Sequence, residues 1–228
     1  MFRGVVRVVF IIVVLVTAVP ASGQVSTDGR VWTGVGFQGR LAERSPWRWS
    51  LESQIRTRDG VHAVDVFLIR FAMGRDLTSR SHVGGGYTNS TMFPIAGEAL
   101  TEHRAFQQYI WTGRAGTSSV AIRTRFEERF SEGNNQAAFR LRQQVRYTRP
   151  FPGYPRFALI AYEEWFVHTN GTNRYARGFD QNRAFGGVAR TITPRVRLEI
   201  GYLNQYTNSH VGPDRMNHVL YAVANTTF

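Results

Sequence analysis

Between Val120 and Tyr147 apolar and polar residues alternate along the chain. In the first arm Val120, Ile122, Thr124 and Phe126 fall on one phase and Arg123, Arg125, Glu127 and Arg129 on the other. In the second, Phe139, Leu141, Val145 and Tyr147 stand against Arg140, Arg142, Gln144 and Arg146. A period of two with one apolar phase marks a strand wetted on one side only. Gly133-Asn134-Asn135 between the arms makes the pair a hairpin. A register that sets Arg129 opposite Arg140 puts Glu127 across from Arg142 and Arg125 across from Gln144.

The same alternation recurs along the chain. Val31, Thr33, Val35 and Phe37 alternate with Trp32, Gly34, Gly36 and Gln38; Trp47, Trp49, Leu51 and Ile55 with Arg48, Ser50, Glu52, Gln54 and Arg56. Further strands are predicted around Phe67 to Gly74, Gly84 to Tyr87, Glu102 to Trp111, Phe157 to Val167, Phe179 to Ile192, Arg195 to Tyr202 and Met216 to Phe228. Adjacent Glu163 and Glu164 cannot face the same way, so one lies near a polar boundary or a bulge sits there. Short turns at 42–46, 75–79, 112–117, 149–155 and 193–194 alternate with mostly longer connections at 59–64, 88–101, 131–136, 168–178 and 204–215. The pattern yields eleven strands, each about 9–14 residues, long enough to cross a bilayer at a tilt. Bacterial single-chain barrels have an even count. The expectation is therefore ten to twelve strands, with one either split or hidden near Gln24 to Gly29.

Residues 1–23 read as a cleaved N-terminal signal peptide. Arg3 and Arg7 precede the apolar run Val8 to Val19, and Ala21-Ser22-Gly23 offers small residues for cleavage. The run is short for a spanning helix, and no later segment approaches ~20 apolar residues. The barrel then occupies 24–228. All 28 basic residues are arginine, against 16 acids. There is no cysteine, which excludes disulfides and thiolate chemistry.

Alternation alone does not say which face is wet, since a secreted sandwich would also show it. Strand length and the aromatics near strand ends (Trp47, Trp49, Trp111, Tyr147, Phe157, Tyr202) favour an all-β, closed antiparallel transmembrane barrel with its arginines inward. An arginine facing lipid at mid-bilayer costs ~2–4 kcal/mol, and an open edge in lipid costs several more. The inward set is Arg48, Arg56, Arg70, Arg104, Arg123, Arg125, Arg129, Arg140, Arg142, Arg146, Arg183 and Arg197, with Glu52, Glu102, Glu127, Glu164 and Glu199 as acidic partners. Arginines outnumber acids there by more than two to one.

The chain after residue 23 resembles a family of bacterial outer-membrane β-barrels known only as a domain of unknown function. The likeness is carried by Trp32, Arg56, Arg70, Gly86-Tyr87, Glu102-x-Arg104, Gln107-Gln108 and Arg123-x-Arg125-x-Glu127-x-Arg129-Phe130. It continues through Arg140-x-Arg142, Glu164-x-Phe166, Gln181-Asn182-Arg183, Gly201-Tyr202 and Phe228. The family often has proline after the arginine matched by Arg70, where Phe71 stands here. The resemblance implies a barrel in the outer membrane and no established activity.

Three functions remain open. Rings of arginine select anions and phosphates, so the lumen could be a narrow anion-preferring channel for small acidic solutes. The same charges could instead form a structural Arg–Glu network in a barrel that conducts nothing. An outer-loop enzyme is the third reading, from His62, His103, His168 and His210, with Ser209 and Asp214 in one loop and Ser131 and Glu132 in another. No spacing there enforces a nucleophile, base and orienter, so no catalytic residue is assigned and no metal or cofactor is implied. His82 and His218 read as strand residues without a role. Expected partners are outer-membrane lipid and lipopolysaccharide, through loop arginines such as Arg174 and Arg177. Small anions, and the barrel-assembly machinery through the strand ending at Phe228, complete the set. Spread over alternate strand positions, the arginines do not form a nucleic-acid patch.

Overall fold

The computed structural model describes residues 25–210 and 212–228; the expected signal peptide lies outside them. Eleven strands form one closed barrel in sequence order. They are β1 (Val25–Arg40), β2 (Trp47–Arg58), β3 (Ala63–Asp76), β4 (Ser81–Met92), β5 (Leu100–Ala115) and β6 (Ser118–Ser131), followed by β7 (Ala138–Phe151), β8 (Tyr154–His168), β9 (Gly178–Thr191), β10 (Val196–Thr207) and β11 (Asp214–Thr227). No strand of the pattern was split, and Val25 to Gly29 is the start of β1, not a further element.

The expected even count gives way to eleven through the closing seam. Neighbouring strands pair antiparallel all round, except that β1 pairs parallel with β11, from Val25↔Asp214 to Gln38↔Thr227. An odd number of strands in an up-and-down barrel leaves one parallel pair, and a parallel ladder is only slightly weaker per residue. Both seam strands start at the end of the barrel that carries the connections 59–62, 93–99, 132–137, 169–177 and 208–213. They finish at the end closed by the turns between β1–β2, β3–β4, β5–β6, β7–β8 and β9–β10.

The β6–β7 register differs from the expected one. Arg129 pairs with Ala138, Glu127 with Arg140 and Arg125 with Arg142. Gly133, at a φ of 72°, and the bond from the Asn134 amide to the Ser131 carbonyl reverse the chain early enough for Ala138 to join the ladder. The slip is two residues, and a slip of two keeps every side chain on its own face.

Faces divide as the alternation requires. Val35, Leu51, Ile55, Phe71, Val145, Ile200 and Leu220 are on the outside, exposed by 37–55%. Arg125, Arg129, Arg140, Arg142, Glu102, Glu127 and Glu164 are buried within. Glu164 turns inward; Glu163 turns outward and accepts a hydrogen bond from Asn182, with a register shift nearby between Phe166 and Val167. Part of the interior is apolar: Trp32, Ile160, Phe185, Ala189, Leu203 and Val219 form one buried cluster flanked by Tyr162 and Tyr221. Glycine makes room for it. A Cβ on Gly187 or on Gly201 would come within 3 Å of both the other's Cα and the ring of Phe185.

Candidate functional site

The lumen holds two charged tiers. Toward the long connections, Glu102 is fully buried and accepts from Arg104 Nε at 2.5 Å, Arg129 Nη2 at 3.0 Å and Ser131 Oγ at 2.7 Å. Its fourth donor is the hydroxyl of Tyr175, at 2.6 Å. That side chain comes from the 169–177 connection, stacks on His168 with centroids 4.8 Å apart, and lies 4.2 Å from the Arg129 guanidinium. The connection thus folds into the mouth, not away from it.

Next to this group, Glu127 receives Arg140 Nη2 at 2.7 Å and Arg142 Nη1 at 2.6 Å. Arg140 also reaches Asp180 at 3.0 Å. Glu164 Oε1 is shared by Arg142 and Arg123, each at 2.7 Å. Paired strands with inward residues two apart make this possible: Glu127 lies opposite Arg140, and Arg142 is the next inward position on β7. Buried charge of this density is tolerated because each carboxylate accepts several charge-assisted bonds.

The second tier is a cavity of about 150 Å³ deeper in the lumen, whose lining includes Trp32, Arg56, Arg70, Arg123, Arg142, Arg146, Arg183, Glu52 and Glu164. Six arginines therefore face two glutamates. Arg70 is paired with Glu52 at 2.7 Å and Arg146 with Glu199 at 2.7 Å. Arg56 has only Gln54 Oε1, at 2.9 Å, and lies 4.2 Å from the centroid of Trp32. Arg183 rests between rings, 5.0 Å from Trp32 and 4.7 Å from Phe166. Among the described residues neither Arg56 nor Arg183 has a carboxylate within 4.0 Å.

Other inward positions go elsewhere. Arg125 is bound to Gln108 at 2.7 Å and lies over Phe106, with Glu127 at 3.8 Å. Arg197 approaches Glu199 at 3.4 Å. Arg48 pairs with Asp76 at 2.7 Å, on a larger vestibule of about 390 Å³ at the short-turn end. His82 is there too, 3.3 Å from Asp76.

The histidines and loop residues of the third reading have these partners among the described residues. His103 is bound to Tyr87 and His218 to Tyr202 at 2.6 Å, both on the outer face. His168 is buried beside Asp180 at 3.4 Å, and the Ser131 hydroxyl donates to Glu102. Asp214 accepts from Tyr206 and from the Ser209 amide.

Sequence reasoning missed Asp76, Asp180, Tyr175 and the inward apolar group. Tyr175 lies within a connection with no alternation to assign a direction, and Asp180 follows it at the start of β9. The inward Val219, Tyr221 and Val223 carried a signal: both phases of β11 are apolar there, as they are where strands are buried on two sides.

Residues 29–217 match the sequence profile of a family described as "Protein of unknown function (DUF2490)". An uncharacterised protein of Methylorubrum extorquens is 29% identical over 209 residues, covering 90% of each chain. No solved structure matches.

Proposed function

Since the chain belongs to DUF2490, a family of unknown function, we propose from its lumen that it is an outer-membrane barrel giving small anions a narrow path. The exposed apolar band supports the membrane setting, because a closed sheet satisfies its backbone internally and can meet lipid along its whole circumference. The leader-like first 23 residues support export across the inner membrane. Arg174 and Arg177, on the 169–177 connection, suit lipopolysaccharide phosphates.

One observation carries the anion preference: six arginines against two glutamates around the mid-lumen cavity. Lumenal arginine in excess of its counter-charges attracts anions and repels cations. Planar-bilayer recording of the purified protein tests this. The expected result is a small, anion-selective conductance that falls or reverses in selectivity when Arg183→Glu is introduced. Cation selectivity in the native protein, or selectivity untouched by that substitution, rejects the path.

A second reading has its own observation. Glu102, Glu127 and Glu164 are at most 2% exposed, so the long-connection half of the lumen is filled by paired side chains. In that reading the barrel is a non-conducting wall held by its Arg–Glu network, and no current passes.

A further inference from the structure

We infer that the mid-lumen cavity is a discrete binding site for one compact tetrahedral oxyanion of the phosphate or sulfate type, gripped between Arg56 and Arg183. The inference deepens the anion reading above, but it does not need conduction.

Donor bookkeeping in the cavity is one-sided. Trp32 Nε1, Arg123 Nε and Arg183 Nε are buried without a hydrogen-bond partner among the described residues, and all three residues line this cavity. Orphans of this kind are few in native proteins and ask for an explanation. Several acceptors on the wall are already engaged. Glu164 Oε1 takes Arg123 and Arg142, Glu52 takes Arg70 and Gln54, and Gln54 Oε1 takes Arg56. The orphaned buried groups on this wall are all donors, and the wall carries a surplus of positive charge. A partner that accepts many bonds, donates few and carries more than one negative charge fits both surpluses at once.

Shape narrows the class. One water-sized group needs about 10–15 Å³ of cavity space, so a cavity of about 150 Å³ has room for several. A five-atom oxyanion fits this volume. Arg56 and Arg183 lie against the indole of Trp32, at 4.2 and 5.0 Å from its ring. Their rigid forks are held in place by stacking, so little order has to be imposed on binding. Guanidinium forks bind phosphate and carboxylate bidentately, so the choice of a tetrahedral anion, with its four acceptor oxygens, rests on the orphaned donors being spread over Trp32, Arg123 and Arg183.

Calorimetric titration of the full chain in detergent micelles, in chloride buffer, tests the site with sodium phosphate, sodium sulfate and disodium succinate. Saturable binding of one phosphate or sulfate is expected, weakened about tenfold or more by Arg56→Gln and by Arg183→Gln, since each removes a charge-assisted contact. Arg44→Gln, in the exposed β1–β2 turn, should bind as the native chain does. Should the arginine variants fail to regain their strand circular dichroism, Trp32→Phe keeps an aromatic ring and removes the indole donor with part of its stacking surface; it should weaken binding about threefold. No saturation beyond chloride overturns the site, as does affinity unchanged in folded Arg56→Gln and Arg183→Gln. Tighter binding of succinate overturns the tetrahedral assignment. Binding without current rejects the path and keeps the site; current without binding does the reverse.

Discussion

Arg140 and Arg183 share one lumen and lie over the same aromatic ring, 5.1 and 4.7 Å from the centroid of Phe166. Arg140 gives its remaining donors to Glu127 and Asp180, at 2.7 and 3.0 Å. Arg183 gives its donors to no carboxylate, and its Nε has no partner at all. The two positions separate what arginine does in a barrel. In the paired tier it is half of a structure whose removal strands the other half. In the cavity it is a buried charge with no carboxylate in contact among the described residues, and on the site proposed above it waits for an anion.

The sharpest way to break this contrast is Glu127→Gln. The substitution keeps size and removes the charge that Arg140 and Arg142 share, leaving buried cations short of a partner; such losses cost about 3–5 kcal/mol. Urea unfolding of the protein in phospholipid vesicles should show that loss as a lower midpoint with unchanged slope. A loss below about 1 kcal/mol, the range of a solvent-screened pair, would mean that water enters the tier and that the two regions do not differ.

Both regions count as lumen only if the opposite face meets lipid. Leu51 is on that face, 38% exposed, near the middle of β2 between Phe37 and Phe71 in register. Leu51→Arg should cost about 2–4 kcal/mol in bilayers. On a water-facing surface the same change would stay within about 0.5 kcal/mol, and that outcome would remove the membrane setting from the account.

This face was legible in the sequence because alternation survives everything that local pattern gets wrong. The β6–β7 register moved by two, and Arg123, Arg125, Glu127, Arg140 and Arg142 all stayed inside. The strand count was legible as well: the eleven runs were present, and only the expectation of an even number argued against them. A parallel seam leaves no local mark, since Val25 to Arg40 reads the same whichever way its neighbour runs. The cavity was only half legible. The arginine surplus could be counted from the inward phase, but which arginines go unpaired depends on distances across strands far apart in the chain. Arg146 finds Glu199 across 53 residues, while Arg183 stands directly across the ladder from Glu164, whose Oε1 is shared by Arg123 and Arg142.

Tyr175→Phe sharpens the contrast within the paired tier by removing a single donor from Glu102, the hydroxyl at 2.6 Å. Hydrogen bonds to charged groups are worth about 1.5–3 kcal/mol; because Arg104, Arg129 and Ser131 remain on that carboxylate, the lower part of the range is expected. The 169–177 connection should also loosen, so cleavage there by an added protease should quicken in intact vesicles. Unchanged cleavage together with unchanged stability would show that the connection is held by its backbone alone.

The smallest expected effect is the most discriminating. Arg183→Gln removes a buried cation with no carboxylate within 4.0 Å among the described residues, and Glu164 across the ladder keeps Arg123 and Arg142, so the penalty that dominates at Glu127 is small here. Arg142 and Arg123 would lose a like-charged neighbour on the same cavity, which offsets the packing lost over Trp32 and Phe166. The net change should stay within about 1 kcal/mol in either direction, the lower range for single substitutions. It should move toward stabilisation at low salt, where repulsion among the remaining charges is least screened. Added phosphate should then raise the unfolding midpoint of the native chain and leave that of Arg183→Gln where it was, because only a state that binds the ligand gains from it. If Arg183→Gln instead costs as much as Glu127→Gln, then Arg183 is held by the fold as firmly as Arg140 is, and the division of the lumen into a paired tier and a waiting one does not hold.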